Sequence, residues 1–568
     1  MTRPGSAGRD GPRRAAGGAA RVAAGMLASR VLGLVREAVV ASLAGVGALM
    51  DVVSAAFRAP NVLQNLLGDQ ALSASFIPVY SRMVAEGRRR EAGALAGAMF
   101  GLLFAAMGLL SLLGFVLAPL LVRLLLPGFV GDAEAVAAGM STVDRLALTT
   151  TAVRICIPMA AAITLSAWCL GILNSHRRFL LPYLAPCFWN ASVIGVVWFV
   201  AAGAMGGEAE RIESLALAVC WGGLLGGLLQ FAVQLPSVLR VTVGLRPSLS
   251  LRAPGVRKTL TNLWPAIAGR GVGQLGAYVD LLLGSLLAQG ALGALTLGQR
   301  LYLLPIGLFG VSVAAAELPE LARLRGDGED RSRTAAARAR ASLAAMSFLV
   351  SPTLVGYLAL GIGIVGAVYR RGEFGVADQW LVFFVLAAYS LGLLASSASR
   401  LLQSVFFSFG DTRSPARIAA MRLAVAAGLG AVLMIWLDRI SVVEVAPAGW
   451  LGPVAPEAAL RLGAVGLALA SAAGSWLELA LLLRRLRRRE VPVRAPWRAW
   501  GRHLPLAMLC LAPWAATQTL VPGPPWIAGV VPVVGFAVTY LVAANALKVP
   551  EARTLRRWLL ETRRRSST

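Results

Sequence analysis

The stretch AFRAPNVLQNLLGDQALSASFIPVY, Ala56 to Tyr80, decides the fold class because it places a permanent positive charge inside a long apolar run. Arg58 is followed by Pro60 and Asn61, and apolar residues continue on both sides. An arginine near the centre of a bilayer costs roughly 2.5–3.5 kcal/mol on insertion scales, so one that is kept there faces the protein or a wet cavity. We therefore expect this stretch to line a polar cavity inside a membrane protein, with Pro60 bending its helix.

The composition of the whole chain indicates the same environment. Of its 568 residues, 57% are hydrophobic and only 14% are charged, too few to cover the surface of a soluble protein of this size. A helix needs about 20 apolar residues to cross roughly 30 Å of hydrocarbon. Runs of that length predict an all-α polytopic membrane protein with about fourteen transmembrane helices, at 19–45, 48–82, 92–126, 141–174, 179–203, 213–239, 259–289, 292–322, 341–369, 378–409, 414–437, 460–483, 501–520 and 525–547.

The positions of the basic residues predict the orientation. The formal net charge is +26, and 40 of the 54 Lys and Arg residues lie in alternate loops and at the two termini. Such a bias marks the cytoplasmic side, so both termini are predicted to be cytoplasmic and nucleic acid is not needed to explain the charge. The predicted inside segments are 1–22, 82–91, 175–178, 240–258, 322–340, 410–422, 484–502 and 548–568.

The chain also repeats itself. Arg270 and Arg300 reproduce the spacing of Arg30 and Arg58 to within two residues, and six predicted helices separate the copies. An even number keeps both halves in one orientation, which is typical of a transporter with its site between two lobes. The predicted divisions are a basic disordered N-terminus at 1–18, an N-lobe at 19–240, a C-lobe at 241–488, two further helices at 489–548 and a basic cytoplasmic tail at 549–568.

The four repeated arginines predict an anion site. At 1.5 Å per residue they lie at similar depth, about 17–20 Å from the inner ends of their helices. The planar guanidinium group binds phosphate oxygens in pairs, so a cationic chamber for phosphate or pyrophosphate is expected. The alternative is that each arginine forms a structural ion pair, and for Arg36, which adjoins Glu37, either role fits. Four other arginines are predicted as helix-end anchors or structural pairs: Arg123, Arg145, Arg154 and Arg400.

The sequence gives only weak signals for an ion, nucleotide or metal site. Asp280 lies in an apolar span and could bind a proton or sodium ion, or could pair with Arg270. GVGQLG at 271–276 matches a dinucleotide-binding pattern, but it lies inside a predicted transmembrane helix, where small residues favour helix packing. The two histidines and five cysteines form no zinc-ligand pattern, and no cofactor is predicted.

Several motifs together resemble the MurJ (MviN) family of lipid II flippases, within the multidrug/oligosaccharidyl-lipid/polysaccharide exporter superfamily. The stretch SRVLGLVREAVVASLAGVGALMDVVSAAFRAPNVLQNLLGDQALSASFIPVY (29–80) and GQRLYLLPIGLFGVSVAAAELPEL (298–321) are the most specific, and LGILNSHRRFLLPYLAP (170–186) and FFSFGDTRSP (406–415) are further matches. The resemblance implies two six-helix lobes around a cationic cavity and a last helix pair that forms a groove for a polyprenyl tail. It also implies a transporter, not an enzyme, in the bacterial cytoplasmic membrane. Its substrate would be the undecaprenyl-pyrophosphate-linked peptidoglycan precursor, moved to the outer leaflet by alternating access, with cell-wall synthesis machinery as a further partner.

The resemblance also assigns site residues. The family's functional arginines correspond to Arg30, Arg36 and Arg300, its acidic residue after the first span to Asp51, and basic and asparagine positions to Arg58 and Asn61. Arg270 lies outside the family pattern. Asp280 and Ser471 match part of a sodium site found in some relatives, but the eleventh span has no Asn or Asp, so coupling to protons or to the membrane potential stays open.

Two positions depart from the family pattern and leave alternative functions open. Gln64 stands where the family often has arginine, and Leu303 where it has a polar or acidic residue. The alternatives are an exporter of another lipid-linked oligosaccharide or of drugs, a membrane-embedded enzyme acting on polyprenyl phosphates, and a homologue that has lost transport. The four arginines argue against a drug cavity, and no acidic metal cluster supports an enzyme.

Overall fold

A computed structural model gives the fold of the chain, and its described residues are 10–67, 69–203, 206–310, 313, 317, 320–321, 328–446, 460–515 and 524–553. Within these residues the protein is helical and has no β-sheet; only one isolated bridge joins Ser441 and Arg461. The chain forms two compact units, one ending at Leu286 and the other beginning at Leu287.

The described part of the first unit contains nine α-helices. α2, which carries Arg58 and Asn61, packs against α6, α8 and α9, and α1 packs against α7. The helices are α1 (Asp10–Ala44), α2 (Ala48–Leu67), α3 (Asp69–Ala85), α4 (Arg89–Leu125), α5 (Asp132–Ala137), α6 (Arg145–Ser175), α7 (Leu180–Gly203), α8 (Glu208–Val241) and α9 (Val256–Ser285).

The second unit is likewise a set of helices that pack against one another. α15 packs against α17, and α18 and α19 pack against α11 and α12 respectively. The Tyr540 hydroxyl on α19 donates a hydrogen bond of 3.1 Å to the carbonyl oxygen of Phe348 on α11. The described helices are α10 (Ala291–Pro305), α11 (Gly328–Ala359), α12 (Gly361–Tyr369), α13 (Val376–Ser390), α14 (Leu393–Ser408), α15 (Arg413–Leu437), α16 (Val442–Val445), α17 (Gly463–Arg487), α18 (Trp497–Ala515) and α19 (Pro525–Ala546).

The length and apolarity of these helices confirm a multi-pass membrane protein. Among the described residues, nine helices are long and apolar enough to cross a bilayer, or ten if the pair α13 and α14 is one bent span. The predicted number of fourteen stays a prediction.

The predicted helix at 378–409 is in fact broken, and the local packing explains why. α13 and α14 meet at an angle of 44° around Leu391 and Gly392. A Cβ atom at Gly392 would lie only 2.8 Å from the Cα atom of Ala472, so the absence of a side chain lets the bend approach α17. Trp476 on α17 donates its indole N–H to the carbonyl oxygen of Leu391 at 2.9 Å, which satisfies an acceptor at the break.

Other predicted boundaries also shift. The described part of the first helix includes residues 10–18, which belong to the segment predicted as disordered, although Gly11, Pro12, Gly17 and Gly18 there are poor helix formers. Within the predicted helix 48–82 the structure describes α2 and α3, on either side of residue 68, which lies outside the described residues. α9 packs against α2 and α3 and belongs to the first compact unit. The lobe boundary at 240/241, which follows from the repeat, stays a prediction.

A glycine stripe on α4 fixes the connection between α8 and α9. Gly93, Gly97 and Gly101 face the backbone of residues 243–248, which lies so close that a Cβ atom at any of them would clash with a carbonyl oxygen. The amide of Ser248 donates to the carbonyl oxygen of Gly97 at 3.2 Å. The stripe therefore serves as a groove that holds this connector along the helix.

Candidate functional site

Asp51, predicted to act in gating or coupling, lies in a buried ion network of the first unit. Its side chain near the start of α2 is almost completely buried, and the Arg145 Nη1 atom lies 3.4 Å from its Oδ2 atom. Arg145 also binds Asp132 in a bidentate manner, with its Nε and Nη2 atoms 2.6 and 3.1 Å from the two carboxylate oxygens. Its guanidinium carbon lies 4.3 Å from the centre of the Phe129 ring. The network ties α2, α5 and α6 together, and it confirms the structural pairing predicted for Arg145.

Arg36 is held by neighbours on two sides. It forms an ion pair with Glu37, and its guanidinium carbon lies 4.4 Å from the centre of the Trp189 ring on α7. Both charged side chains are about one-tenth exposed. A buried guanidinium that is stacked and paired in this way positions α1 against α7. The substrate-binding role predicted for Arg36 stays a prediction, because these contacts fit the structural alternative at least as well.

The other predicted residues of the first unit lie on helices that meet. Arg30 is exposed on α1, and Arg58 and Asn61 are half-buried one turn apart on α2. α2 packs against α9, which carries Asp280 as a half-buried residue near its C-terminal end. Arg270 is also on α9, but its side chain lies outside the described residues, as does that of Gln64 on α2.

In the second unit, Arg300 lies on α10 with an exposed side chain. Leu303, one turn further, is also exposed, at 41% of its surface, at the position where the family resemblance predicts a polar side chain. Ser471, the weak sodium candidate, is half-buried on α17, and its backbone carbonyl accepts a hydrogen bond from the Ser475 hydroxyl. Among the described residues, no three His, Cys, Asp or Glu side chains form a group that could hold a metal ion.

Sequence reasoning missed a buried polar cluster in the second unit. Glu478 on α17 is 2% exposed, and its carboxylate accepts hydrogen bonds from Arg422 Nη1 at 2.7 Å and Gln403 Nε2 at 2.8 Å. Arg422 lies in the third turn of α15, within the predicted helix 414–437 and also within the predicted inside segment 410–422, whose side of the membrane stays a prediction. The sequence signal for this cluster is Glu478, a lone glutamate inside the apolar twelfth predicted span.

Arg400 adds a second positive charge to this cluster. It lies one turn before Gln403 on α14, its side chain is exposed, and it interacts electrostatically with Arg422, Glu478 and Tyr302. The Tyr302 ring stacks on Tyr389 with ring centres 5.3 Å apart. Two arginines against one carboxylate leave the cluster with a net positive charge, inside helices that are apolar elsewhere. This is the electrostatic character expected of a wall that faces an anion.

The loop before α15 carries a clear pKa shift. Burial alone would raise the pKa of the Asp411 carboxyl, but hydrogen bonds from Ser414 and the charge of Arg489 outweigh it and lower the pKa below its ordinary value. The Arg489 Nη2 atom lies 2.6 Å from Asp411 Oδ2. This ion pair joins the loop to the end of α17.

A family model described as lipid II flippase MurJ matches residues 40–452 of the chain. The chain belongs to this family. The "Probable lipid II flippase MurJ" of Rhizobium tropici is 31% identical over 433 residues, which cover 75% of this chain and 77% of the relative. The protein of the same description from Vibrio cholerae serotype O1 is 30% identical over 468 residues, covering 82% and 81%.

Solved structures share the fold of this MurJ-family chain. A structure titled lipid II flippase MurJ, inward closed conformation, matches with a TM-score of 0.69 at 20% identity, covering 93% of this chain and 98% of that one. An inward-facing multidrug resistance MATE family transporter of the MOP superfamily matches with a TM-score of 0.56 at 13% identity, covering 81% and 94%. The exporter-type fold predicted from the repeat is thereby confirmed.

Proposed function

We propose that this chain is a lipid II flippase, which moves the polyprenyl-pyrophosphate-linked peptidoglycan precursor from the inner to the outer leaflet of the bacterial cytoplasmic membrane. The observation that carries the proposal is the match of the MurJ family model to residues 40–452, joined to curated relatives at about 30% identity over most of the chain. The excess of basic residues in alternate loops supports cytoplasmic N- and C-termini.

The proposed substrate contact is between guanidinium groups and the pyrophosphate. Arg30, Arg58 and Arg300 are the principal ligands, since each lies within a predicted membrane span and a guanidinium group binds phosphate oxygens in a bidentate manner. Arg270 and Asn61 are secondary ligands, on α9 and on the same turn region of α2 as Arg58. Arg36 contributes charge while it holds α1 against α7. Asp51, paired with Arg145, acts in gating, because breaking that buried pair would remove a charged link between α2 and α6.

Two alternatives compete with this proposal. A transport-inactive homologue is favoured by exposed Leu303, an apolar side chain where a polar contact is expected. An exporter of another lipid-linked oligosaccharide would use the same arginines, because the pyrophosphate linkage is the shared feature. Rescue of growth in bacteria depleted of their own lipid II flippase distinguishes both from the proposal.

The experiment replaces Arg58 with alanine in such a rescue strain. The unmodified chain is expected to restore growth, and Arg58→Ala is expected to abolish rescue while the protein still reaches the membrane, because an essential phosphate ligand is lost. Arg123→Ala is the matched control, since Arg123 is exposed near the end of α4 and is predicted to be an anchor. Full rescue by alanine variants of Arg30, Arg58 and Arg300 alike would refute the proposed binding site.

A further inference from the structure

A groove of about 740 Å³ lies beside the basic end of α17, within the second unit. Its apolar part is formed by Leu479, Ala480 and Leu483 of α17, and its far end by Arg484, Arg487 and Arg488. At 1.5 Å per residue, Leu483 and Leu479 lie about 8 and 14 Å along the helix from Arg488. Half of a bilayer's hydrocarbon core is about 15 Å thick. The apolar lining from Trp476 to Leu483 therefore extends about 10 Å along the helix, roughly two thirds of one leaflet, and the cationic lining lies beyond it at one end.

The three arginines of the groove differ from their neighbours in the same basic run. Arg485 donates to the Ser414 hydroxyl at 3.4 Å, and Arg489 pairs with Asp411. In contrast, the guanidinium groups of Arg484, Arg487 and Arg488 have no hydrogen bond or ion pair with any residue that the structure describes, and all three are exposed. None of the described residues that line the groove is acidic. The groove thus presents three uncompensated positive charges.

Tryptophan rings build one wall of the groove. Trp476 and Trp497 stack with ring centres 6.4 Å apart, and Trp500 meets Trp497 edge to face at 5.0 Å. Trp497 is nevertheless 65% exposed. Trp497 begins α18 and stacks on Trp476 of α17, a helix long and apolar enough to cross a membrane. An exposed indole beside such a helix is typical of the level of the lipid headgroups, where its ring meets the acyl chains and its N–H meets water. This wall places the cationic end of the groove at headgroup level.

We propose that this groove binds an anionic phospholipid of the bilayer leaflet that the basic loops face. The phosphate contacts Arg484, Arg487 and Arg488, and an acyl chain lies along Leu479 and Leu483 against the Trp476 ring. A cluster of arginines directly beside a membrane-spanning helix attracts anionic lipid headgroups, which gives the required charge complementarity. Arginines in the last turn also suit the negative end of the α17 dipole, but that role needs neither an apolar channel nor an exposed tryptophan.

The test measures lipid binding to the purified full-length chain. After delipidation in detergent, the protein is titrated with phosphatidylglycerol or with phosphatidylcholine of the same acyl chains, and bound lipid is counted by native mass spectrometry. The groove variant is R484Q/R487Q/R488Q. The matched control is R252Q/R257Q/K258Q, which removes three exposed positive charges just before α9 and in its first turn. Thermal unfolding of each variant establishes that it is folded.

The unmodified chain is expected to bind phosphatidylglycerol about tenfold or more tightly than phosphatidylcholine, given the attraction of each arginine to an anionic lipid. The groove variant should lose that preference, and the control should keep it within about twofold. Trp497→Ala should weaken the binding of both lipids, because it removes part of the wall against which any acyl chain packs. Equal losses in the groove and control variants would show attraction by net charge alone and would overturn the proposal.

Two further titrations identify the source of the phosphate. Inorganic phosphate at millimolar concentration should not displace phosphatidylglycerol, because it lacks the acyl chain; displacement would overturn the apolar half of the site. Tighter binding of a polyprenyl pyrophosphate than of phosphatidylglycerol, with the same dependence on the three arginines, would assign the groove to the transported lipid instead. None of these results depends on transport, so the proposal stands or falls separately from the flippase activity.

Discussion

The arginines inside the apolar helices differ in what surrounds them. Arg145 is almost completely buried against Asp51 and Asp132, and Arg422 reaches a buried glutamate, whereas the side chains of Arg30 and Arg300 are exposed. A buried charge needs a partner because removing it from water costs more than an isolated contact returns. The sequence shows which arginines lie within helices, but the pairing of Arg422 with Glu478 depends on α15 packing against α17, which spacing along the chain does not reveal.

Replacing Arg422 with methionine should destabilise the second unit. Among the described residues, the change leaves the buried Glu478 carboxylate with a hydrogen bond from Gln403 and the charge of Arg400 nearby. Since Arg422 is one-third exposed, we expect the free energy of unfolding to fall by roughly 1–3 kcal/mol instead of by the full penalty for a buried pair. Thermal unfolding in detergent measures it. Arg417→Met, which removes an exposed arginine from the same helix, should have little effect.

The double variant Arg422→Met/Glu478→Leu extends this test. It should recover part of the stability lost in Arg422→Met, because it removes the stranded carboxylate as well as its partner. A double variant less stable than the sum of the two single changes would argue against direct pairing.

The Asp411 pair predicts a specific pH dependence. Because the pKa of Asp411 is lowered in the folded protein, its ionised form stabilises the fold above its ordinary pKa of 3.8, and this contribution is lost as the pH falls through the lower, folded value. The melting temperature of Asp411→Asn should therefore be lower than that of the unmodified chain at pH 7, and this difference should shrink in strongly acidic buffer. Glu213→Gln, which changes an exposed carboxyl on α8, supplies the control. A melting difference for Asp411→Asn that stays constant from pH 7 to below 3.8 would contradict this account.

At the scale of elements, hydropathy predicts where helices lie but not where they break. The break between α13 and α14 depends on Gly392 meeting Ala472 and on Trp476 capturing the Leu391 carbonyl, and both partners lie about 80 residues further along the chain. No local sequence pattern around Leu391 predicts these contacts. The helical residues 10–18 follow neither from hydropathy nor from local propensity, because four of the nine are glycine or proline.

The glycine stripe on α4 gives a prediction about one element. Gly97→Ala should lower stability, because the added methyl group clashes with the carbonyl oxygen of Arg246 and forces the connector away from the helix. Overpacking of this kind costs about 1–3 kcal/mol, which exceeds the helix-propensity gain of about 0.5–1 kcal/mol. Gly108→Ala on the same helix meets nothing within 4 Å and should be neutral or stabilising.

Thermal unfolding and limited proteolysis of the connector between α8 and α9 compare the two glycine variants. Cleavage near residues 243–248 should accelerate in Gly97→Ala only. Identical stability and identical cleavage rates in the two variants would show that the stripe does not hold the connector.

At the scale of the whole molecule, global features predict more than local ones. The composition, the alternation of basic loops and the repeated arginine spacing together predict a helical exporter, and the family assignment and the fold confirm it. They succeed because bilayer thickness and the positive-inside bias act on every helix at once. The chamber formed by Arg30, Arg58 and Arg300 stays a prediction, since it joins residues from both units and depends on tertiary arrangement that sequence spacing does not fix.

The most direct test of the central claim follows lipid II itself. In cells depleted of their own flippase and expressing this chain, lipid II that reaches the outer leaflet is cleaved by an added enzyme that cannot cross the membrane, and the cleaved fraction is measured. We expect cleavage to be restored by the unmodified chain and by Arg123→Ala, and to fall to the level of depleted cells with Arg58→Ala at equal membrane abundance. Absence of cleavage with the unmodified chain, present in the membrane at that same abundance, would contradict the flippase assignment.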